Sequence, residues 1–331
     1  MTPQLVRLEP SMLDDLMALS SSAHWNQNEA DWRSMLEWGQ GWGLQVQGET
    51  GRPHLAASTL VLPYERRFAW VSMVLVLPAW RRQGLARALL SVALDHLRRQ
   101  GLSVILDATP AGHPVYAAQG FKDAWGFTRW RLPGPLATPS ARAQDPGVRP
   151  LQPRDWPAVA TLDAKAFGAD RMPLLQRLSG RLPQAAWVLH RSGELRGFVL
   201  GRDGRTAWQL GPLVVASREA TASSLDARSL LEAAAASGAA TDAAAASLPG
   251  TGPRKALVVD VRDGQPLLQD WLAGQGFAPE RPFTRMVLRP QGLQAGCGPA
   301  DTVHTPPREE LAAPAPGDRS LISLVAGPEL G

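Results

Sequence analysis

Along residues 71–100 the apolar pattern changes period part-way. Val71 to Leu77 is an unbroken apolar run stopped at Pro78, whereas beyond Gly84 the apolar positions Leu85, Ala88, Leu89, Val92, Ala93 and Leu97 recur at helical spacing. The stretch VSMVLVLPAWRRQGLARALLSVALDHLRRQ therefore predicts a strand, an Arg-rich turn and a helix. Upstream, residues 4–8 (QLVRL) predict a first strand, and Glu9-Pro10-Ser11 opens a helix running to about Leu19. The polar stretch Ser20–Asn28 predicts a loop, and Glu29–Trp38 a second helix. Strands are expected at Gly43–Gln47, Pro53–Leu62 and Arg67–Leu77, with turns at Gly48–Gly51 and Pro63–Arg66, a meander feeding a central strand. Ser103–Asp107 then predicts a buried strand, and Gly112–Gln119 a short helix closed by Gly120-Phe121.

The pattern starts again in the second half. Gln119-Gly120-Phe121 is followed by Phe127-Thr128-Arg129, and Gln275-Gly276-Phe277 by Phe283-Thr284-Arg285 at the same spacing. Each copy follows an apolar strand ending in aspartate, Asp107 or Asp260, and a Pro-containing helix. Ala69-Trp70 before the first central strand matches Ala207-Trp208 before the second, which aligns Val76 with Val214. Two tandem domains of one design account for this self-similarity. Between them Leu132–Pro146, rich in Pro, Ala and Gly, predicts a linker. Val148–Leu151 restarts the series as a strand, with helices near Arg154–Phe167 and Pro173–Leu178. The alanine-rich Glu232–Ser247 predicts helix interrupted at Ser237-Gly238, Pro290–Asp318 an extended or poorly ordered loop, and Ser320–Ala326 a last strand returning to the second sheet.

Composition agrees with two domains. A chain of 331 residues holds about two units of the usual 100–200 residues, and 44% hydrophobic with 19% charged residues describes a globular protein. The chain contains no apolar stretch long enough to span a membrane and its start, MTPQLVRLEP, lacks a signal peptide's apolar core, so a cytoplasmic protein is expected. The single cysteine, Cys297, excludes an intrachain disulfide and sits in a Gly-rich stretch without a catalytic partner. Of 34 basic residues only Lys122, Lys165 and Lys255 are lysine, which raises the pI to about 9.8 at a net charge of +4. The arginines are scattered and no zinc-finger or RNA-binding motif occurs, so a nucleic-acid partner is not expected.

The turn Arg81-Arg82-Gln83-Gly84-Leu85-Ala86-Arg87 carries the candidate chemistry. Small residues at 84 and 86 let a ligand approach the backbone, and free amides at a helix start beside guanidinium groups form a cradle suited to a pyrophosphate. The stretch is neither a Walker A loop nor a GxGxxG dinucleotide turn. It resembles motif A of the GCN5-related N-acetyltransferases (GNAT), whose Q/R-x-x-G-x-G/A turn holds the pyrophosphate of acetyl-CoA. Arg81, Gly84 and Ala86 fill its three specified positions.

The resemblance implies an α/β fold with a mixed sheet, twice in tandem: a catalytic GNAT domain over residues 1–134, a linker over 135–146, and a degenerate GNAT-like domain over 147–331. It implies that the central strand splays from its neighbour, leaving backbone groups of Val74, Leu75 and Val76 free for the pantetheine arm and acetyl carbonyl, and that Arg82 to Arg87 hold the pyrophosphate. LDATPAGHPVYAAQGF resembles motif B, in which a helix tyrosine lies near the thioester sulfur; Tyr116 matches it. An unperturbed phenol near pKa 10 is a weaker acid than a thiol near 8.5, so proton transfer to the departing thiolate is uphill by roughly 2 kcal/mol, and a hydrogen bond is the safer role. The Ser20–Trp42 segment, rich in tryptophan, corresponds to a wall of the acceptor pocket, which makes Trp25 and Trp32 candidates. AFGADRMPLLQRL resembles tandem members and makes Asp170 and Arg171 a candidate acceptor pair, against a helix-capping aspartate beside a surface arginine.

Where the first copy has its glycine turn the second has Ala216-Ser-Arg-Glu-Ala-Thr-Ala-Ser-Ser, and Leu272 stands at the register of Tyr116, so the second copy is not expected to bind acetyl-CoA in the usual way. Two readings remain open: an N-acetyltransferase moving the acetyl group of acetyl-CoA to a primary amine, and an acetyl-CoA sensor without turnover. The acceptor, a small molecule or a peptide amine, is unassigned; Glu65, His54 and Asp107 are available as bases and no pattern chooses among them. No metal is expected, and tandem copies packing as a pseudo-dimer suggest a monomer.

Overall fold

The apolar runs become strands and the helically spaced stretches become helices in a computed structural model of the chain, which describes residues 3–48, 51–134, 145–246, 256–289 and 315–331. Cys297, most of the expected linker and most of the Pro/Gly-rich stretch lie outside the described residues. The chain divides into two units, and neither is continuous in sequence. The first comprises Met1–Ala23, Asp31–Trp125 and Thr284–Ala315; the second comprises His24–Ala30, Gly126–Phe283 and Pro316–Gly331. A sequence boundary at 134 therefore differs from the structural partition, because each half sends a strand to the other.

In the first unit β1 (Gln4–Arg7), β2 (Gln40–Gln47), β3 (Pro53–Tyr64) and β4 (Phe68–Val76) form an antiparallel meander. It carries α1 (Leu13–Ser22), and α2 (Glu29–Trp38) precedes β2. The 14-residue α3 (Leu85–Arg98) crosses over to β5 (Ser103–Ala108), which lies parallel to β4. Burial of Leu89, Leu90, Ala93, Leu94 and Leu97 seats α3 on the sheet beside Val71, Val104 and Leu106. A short α4 (His113–Ala117) follows, and β6 (Lys122–Leu132) leaves for the second unit.

The second unit repeats the plan. It contains β7 (Val148–Pro150), α5 (Trp156–Phe167), α6 (Met172–Arg181), β8 (Trp187–Arg191), β9 (Glu194–Arg202) and β10 (Ala207–Val215). α7 (Ala220–Ala246), β11 (Ala256–Arg262) and α8 (Pro266–Gly274) follow. β12 (Ala278–Leu288) and β13 (Ile322–Leu324) complete the strands. α7 passes through Ser237-Gly238 without the expected break; a lone glycine costs a helix about 1 kcal/mol, and a run of alanines offsets it. Among the described residues no helix is long and apolar enough to cross a membrane.

The repeated motifs have exchanged places. β12 runs antiparallel to β5 from Thr284↔Ala108 to Leu288↔Val104 and so completes the first unit's sheet, while β6 runs antiparallel to β11 from Phe127↔Arg262 to Leu132↔Leu257 in the second. In consequence Arg285 forms a bidentate pair with Asp107 (2.8 and 2.9 Å), and Arg129 one with Asp260 (2.8 and 2.7 Å), all four side chains being buried. Each arginine serves the aspartate of the other copy. The expected last strand does return to the second unit, where β13 pairs with β10 and β11.

Candidate active site

β4 is bent by its own backbone. Met73 has φ 51°, the β3–β4 register shifts between Ser58 and Leu60, and the Ser58 hydroxyl donates to the Met73 carbonyl at 2.8 Å, fixing the bulge. The parallel ladder with β5 consists of Phe68↔Ser103, Ala69↔Val104 and Trp70↔Ile105 and ends there. Beyond Trp70 the strand stays paired with β3 on one side, through Leu75 and Val76. Among the described residues no strand pairs with its other edge at Val74, Leu75 and Val76. A bulge that splays parallel strands leaves backbone donors and acceptors facing a gap, and such groups call for a partner.

The Arg-rich turn follows this edge. Arg81 Nε donates to the Val76 carbonyl at 3.2 Å, tying turn to strand, and Gln83 donates to the Ala79 carbonyl at 3.3 Å. Arg82 (φ 61°) and Gly84 (φ 80°) take left-handed conformations that reverse the chain into α3. Among the described residues the helix start has no side-chain cap: Gly84 has no side chain, the first turn holds no acid, and a Cβ built at Gly84 would meet nothing within 4 Å. The amides of Leu85, Ala86 and Arg87 therefore begin a helix with no side-chain cap from Gly84, beside the exposed residues Arg81, Arg82 and Arg87 of the same turn.

Tyr116 comes to the same region by packing. Together with Val74, Val76 and Leu85 it lies against the core that α3 and the sheet form, its ring edge-on to Phe121 at 6.1 Å. Gly112 gives the ring room, since a Cβ there would sit 2.9 Å from Tyr116 Cε2. Burial pushes the phenol pKa up to about 12, so it stays protonated at neutral pH and serves as a hydrogen-bond donor.

The acceptor candidates fare differently. Trp32 is fully buried with its indole N–H donating to the Ser20 hydroxyl at 3.3 Å, so it is core and presents no face to a substrate. Arg171 is likewise withdrawn: its guanidinium pairs with Asp163 (2.8 and 3.0 Å), donates to the Gly331 carbonyl (2.7 Å) and lies over the Phe167 ring. Asp170 accepts from the Met172 amide at 2.8 Å at the start of α6, the helix-capping alternative. Trp25 belongs to the second unit, where its carbonyl accepts from Arg205 (3.0 Å) and the adjacent Asn26 clamps Thr206 and Ala207. Of the candidate bases Asp107 is consumed by Arg285, while Glu65 is exposed in a turn with φ 47°.

Comparison with known proteins gives the architecture a family. The model described as "Acetyltransferase (GNAT) family" matches residues 13–121, and that described as "Acetyltransferase (GNAT) domain" matches 159–295. Two GNAT domains stand in tandem in this chain. The uncharacterized N-acetyltransferase YitH of Bacillus subtilis (strain 168) is 23% identical over 221 residues, 66% of this chain and 75% of the relative. A putative acetyltransferase from Pyrococcus horikoshii shares the fold with a TM-score of 0.69 at 17% identity, covering 100% of this chain and 96% of the other. A tandem GNAT protein from the clavulanic acid biosynthesis pathway superposes with a TM-score of 0.60 at 18% identity over 90% of this chain and 100% of its own.

The second GNAT domain departs from the first at the turn. α7 begins after Glu219, whose carboxylate accepts from the Thr221 (2.9 Å) and Ala222 (2.6 Å) amides. The missing glycine is legible in the sequence, whereas the role of this acid appears only in its hydrogen bonds. Its signal was a glutamate immediately before an alanine-rich helix, the place where a carboxylate caps.

Proposed function

We propose that the first GNAT domain is an N-acetyltransferase that moves the acetyl group of acetyl-CoA to a primary amine by direct attack. The observation that carries this reading is the pairing, within one unit, of a helix start behind Gly84 with an edge of β4 at Val74–Val76 that no strand among the described residues pairs. The donor set fits the group: amides and guanidinium groups for a pyrophosphate, and an extended backbone edge for an amide-bearing arm. Acetyl-CoA would supply an activated thioester.

Arg81, Arg82 and Arg87 with the amides of Leu85–Arg87 would hold the phosphates, Gln83 and Gly84 shaping the turn. β4 would orient the acyl group, positioning being a large share of the rate. Tyr116 would hold its proton and donate a hydrogen bond to the sulfur as charge develops there. The half-buried phenol supports donation of a bond rather than of the proton itself, since its raised pKa deepens the mismatch with a thiol. Asp107 takes no part as a base.

Titration calorimetry with acetyl-CoA tests the cradle. Gly84→Ala imposes the left-handed backbone on a side chain, about 1–2 kcal/mol; Gly84→Glu adds a carboxylate among the phosphate amides. The expected result is one site per chain, weakened by alanine and abolished by glutamate. Equal binding by all three proteins overturns the assignment. Release of free thiol on mixing acetyl-CoA with amines separates turnover from a sensor.

A further inference from the structure

The second GNAT domain has the same splayed strands as the first, but its gap is filled. β10 and β11 pair in parallel from Ala207↔Ala256 to Leu210↔Val259, and β10 then bulges at Gly211 (φ 146°), in the register of Met73. Into the opening comes β13. Leu213 pairs with Leu324 and Val214 with Ile322 on one side, Val261 pairs with Leu324 on the other, and the Val325 amide donates to the Asp260 carbonyl at 3.1 Å. The edge that stays open in the first unit at Val74–Val76 is hydrogen-bonded here to the chain itself.

The inserted segment is built in. Leu321, Ile322, Leu324, Val325, Ala326 and Leu330 are buried. Glu329 is buried against Arg202, which also donates to Gln209 at 2.9 Å, and Gln209 donates to Asp260 at 2.7 Å. Withdrawing the segment would leave Arg202 short of its carboxylate inside the protein, an expensive state. A Cβ at Gly211 would overlap the Val325 carbonyl oxygen, so the bulge is shaped around this occupant. At the helix start the Glu219 carboxylate sits on the amides of Thr221 and Ala222, and the neighbouring Arg218 pairs with Asp318 at the head of the segment.

We propose that residues 318–331, together with the Glu219 carboxylate, are a resident internal ligand of the second domain. The strand takes the path of an acyl-CoA arm between β10 and β11, the carboxylate takes the helix-start amides that a phosphate would use, and the domain is closed to acyl-CoA. The comparison of the two gaps rests on the function proposed for the first domain; the occupancy does not.

Hydrogen–deuterium exchange of the full chain with and without saturating acetyl-CoA tests this. Amides of 257–261 and 322–325 should exchange on the order of 10³-fold more slowly than in an unstructured peptide, as core strands do, and acetyl-CoA should leave them and 219–222 unchanged. Faster exchange at 322–325 or new protection at 212–222 on adding acetyl-CoA overturns the proposal. Failure of 74–76 and 84–88 to gain protection, with 322–325 slow throughout, refutes the first domain's function and upholds the internal ligand. In a Leu324→Asp variant, 210–214 should lose protection and regain it when a synthetic peptide of residues 318–331 is added in trans. A folded variant that retains full protection overturns the proposal; if this variant does not fold, the wild-type exchange decides.

Discussion

Asp107→Asn removes one charge from a buried pair while keeping its shape. Asp107 has no exposed side-chain surface, Arg285 retains 4%, and two hydrogen bonds of 2.8 and 2.9 Å join them. Removing one partner of such a pair costs about 3–5 kcal/mol, because the other charge stays buried and uncompensated. Here the guanidinium keeps company with the faces of Trp70 (4.5 Å) and Trp125 (4.1 Å), each contact contributing about 0.5–1 kcal/mol or more, and asparagine still accepts one bond. The expected loss is therefore nearer about 2–3 kcal/mol. Amide exchange in β5 and in residues 284–288 measures it locally, without requiring the two units to unfold together; an opening free energy in β5 lowered by about 2 kcal/mol is a roughly 30-fold faster exchange. The activity that remains should keep its pH profile, since Asp107 holds an arginine and takes no proton from substrate. Exchange within a factor of two of wild type would refute the energetic account, and a displaced pH profile would refute the structural role.

Tyr116→Phe should lower kcat about 10²-fold with the KM for acetyl-CoA little changed, the signature of a donor used as charge develops; a loss confined to KM counts against it. The same phenol, its pKa raised to about 12 by burial, favours the folded state below pH 10 and loses that contribution as pH rises from 10 toward 12. Phenolate absorbance in an alkaline titration should show the Tyr116 phenol ionising near pH 12, lost in Tyr116→Phe, and its ionisation near pH 10 in the folded protein would contradict the effect of burial. Gly211→Ala combines a left-handed backbone with overlap of the Val325 carbonyl and should destabilise the second unit by about 2 kcal/mol or more, read from exchange in β10 and β13 while the first unit is unaffected.

The local parts of the first unit were written in the sequence. The change of period from Val71 to Leu97 marks strand, turn and helix wherever they are placed, because apolar spacing reports which face of an element is buried. Gly84 likewise states a backbone need, a left-handed residue ahead of a helix. Trp32 and Arg171 misled because composition names a side chain without saying where it points; the first is enclosed by α1 and the second by Asp163 and Phe167.

What the sequence could not settle was which copy each element serves. The FTR motifs read the same whether a strand folds back on its own sheet or crosses to the other, since extending a loop changes its closure entropy only logarithmically. The decision lay in partners 131 and 178 residues apart, Arg129 with Asp260 and Arg285 with Asp107. The strand at 322–324 was visible as a short apolar run, and its return to the second sheet was expected. That it enters the gap between β10 and β11 follows from the bulge at Gly211, the buried Glu329–Arg202 pair and the hydrogen bonds left open by the splayed strands. Sequence set the elements and their faces; the pairing of unsatisfied backbone edges and buried charges, which exists only once the chain is folded, chose their neighbours.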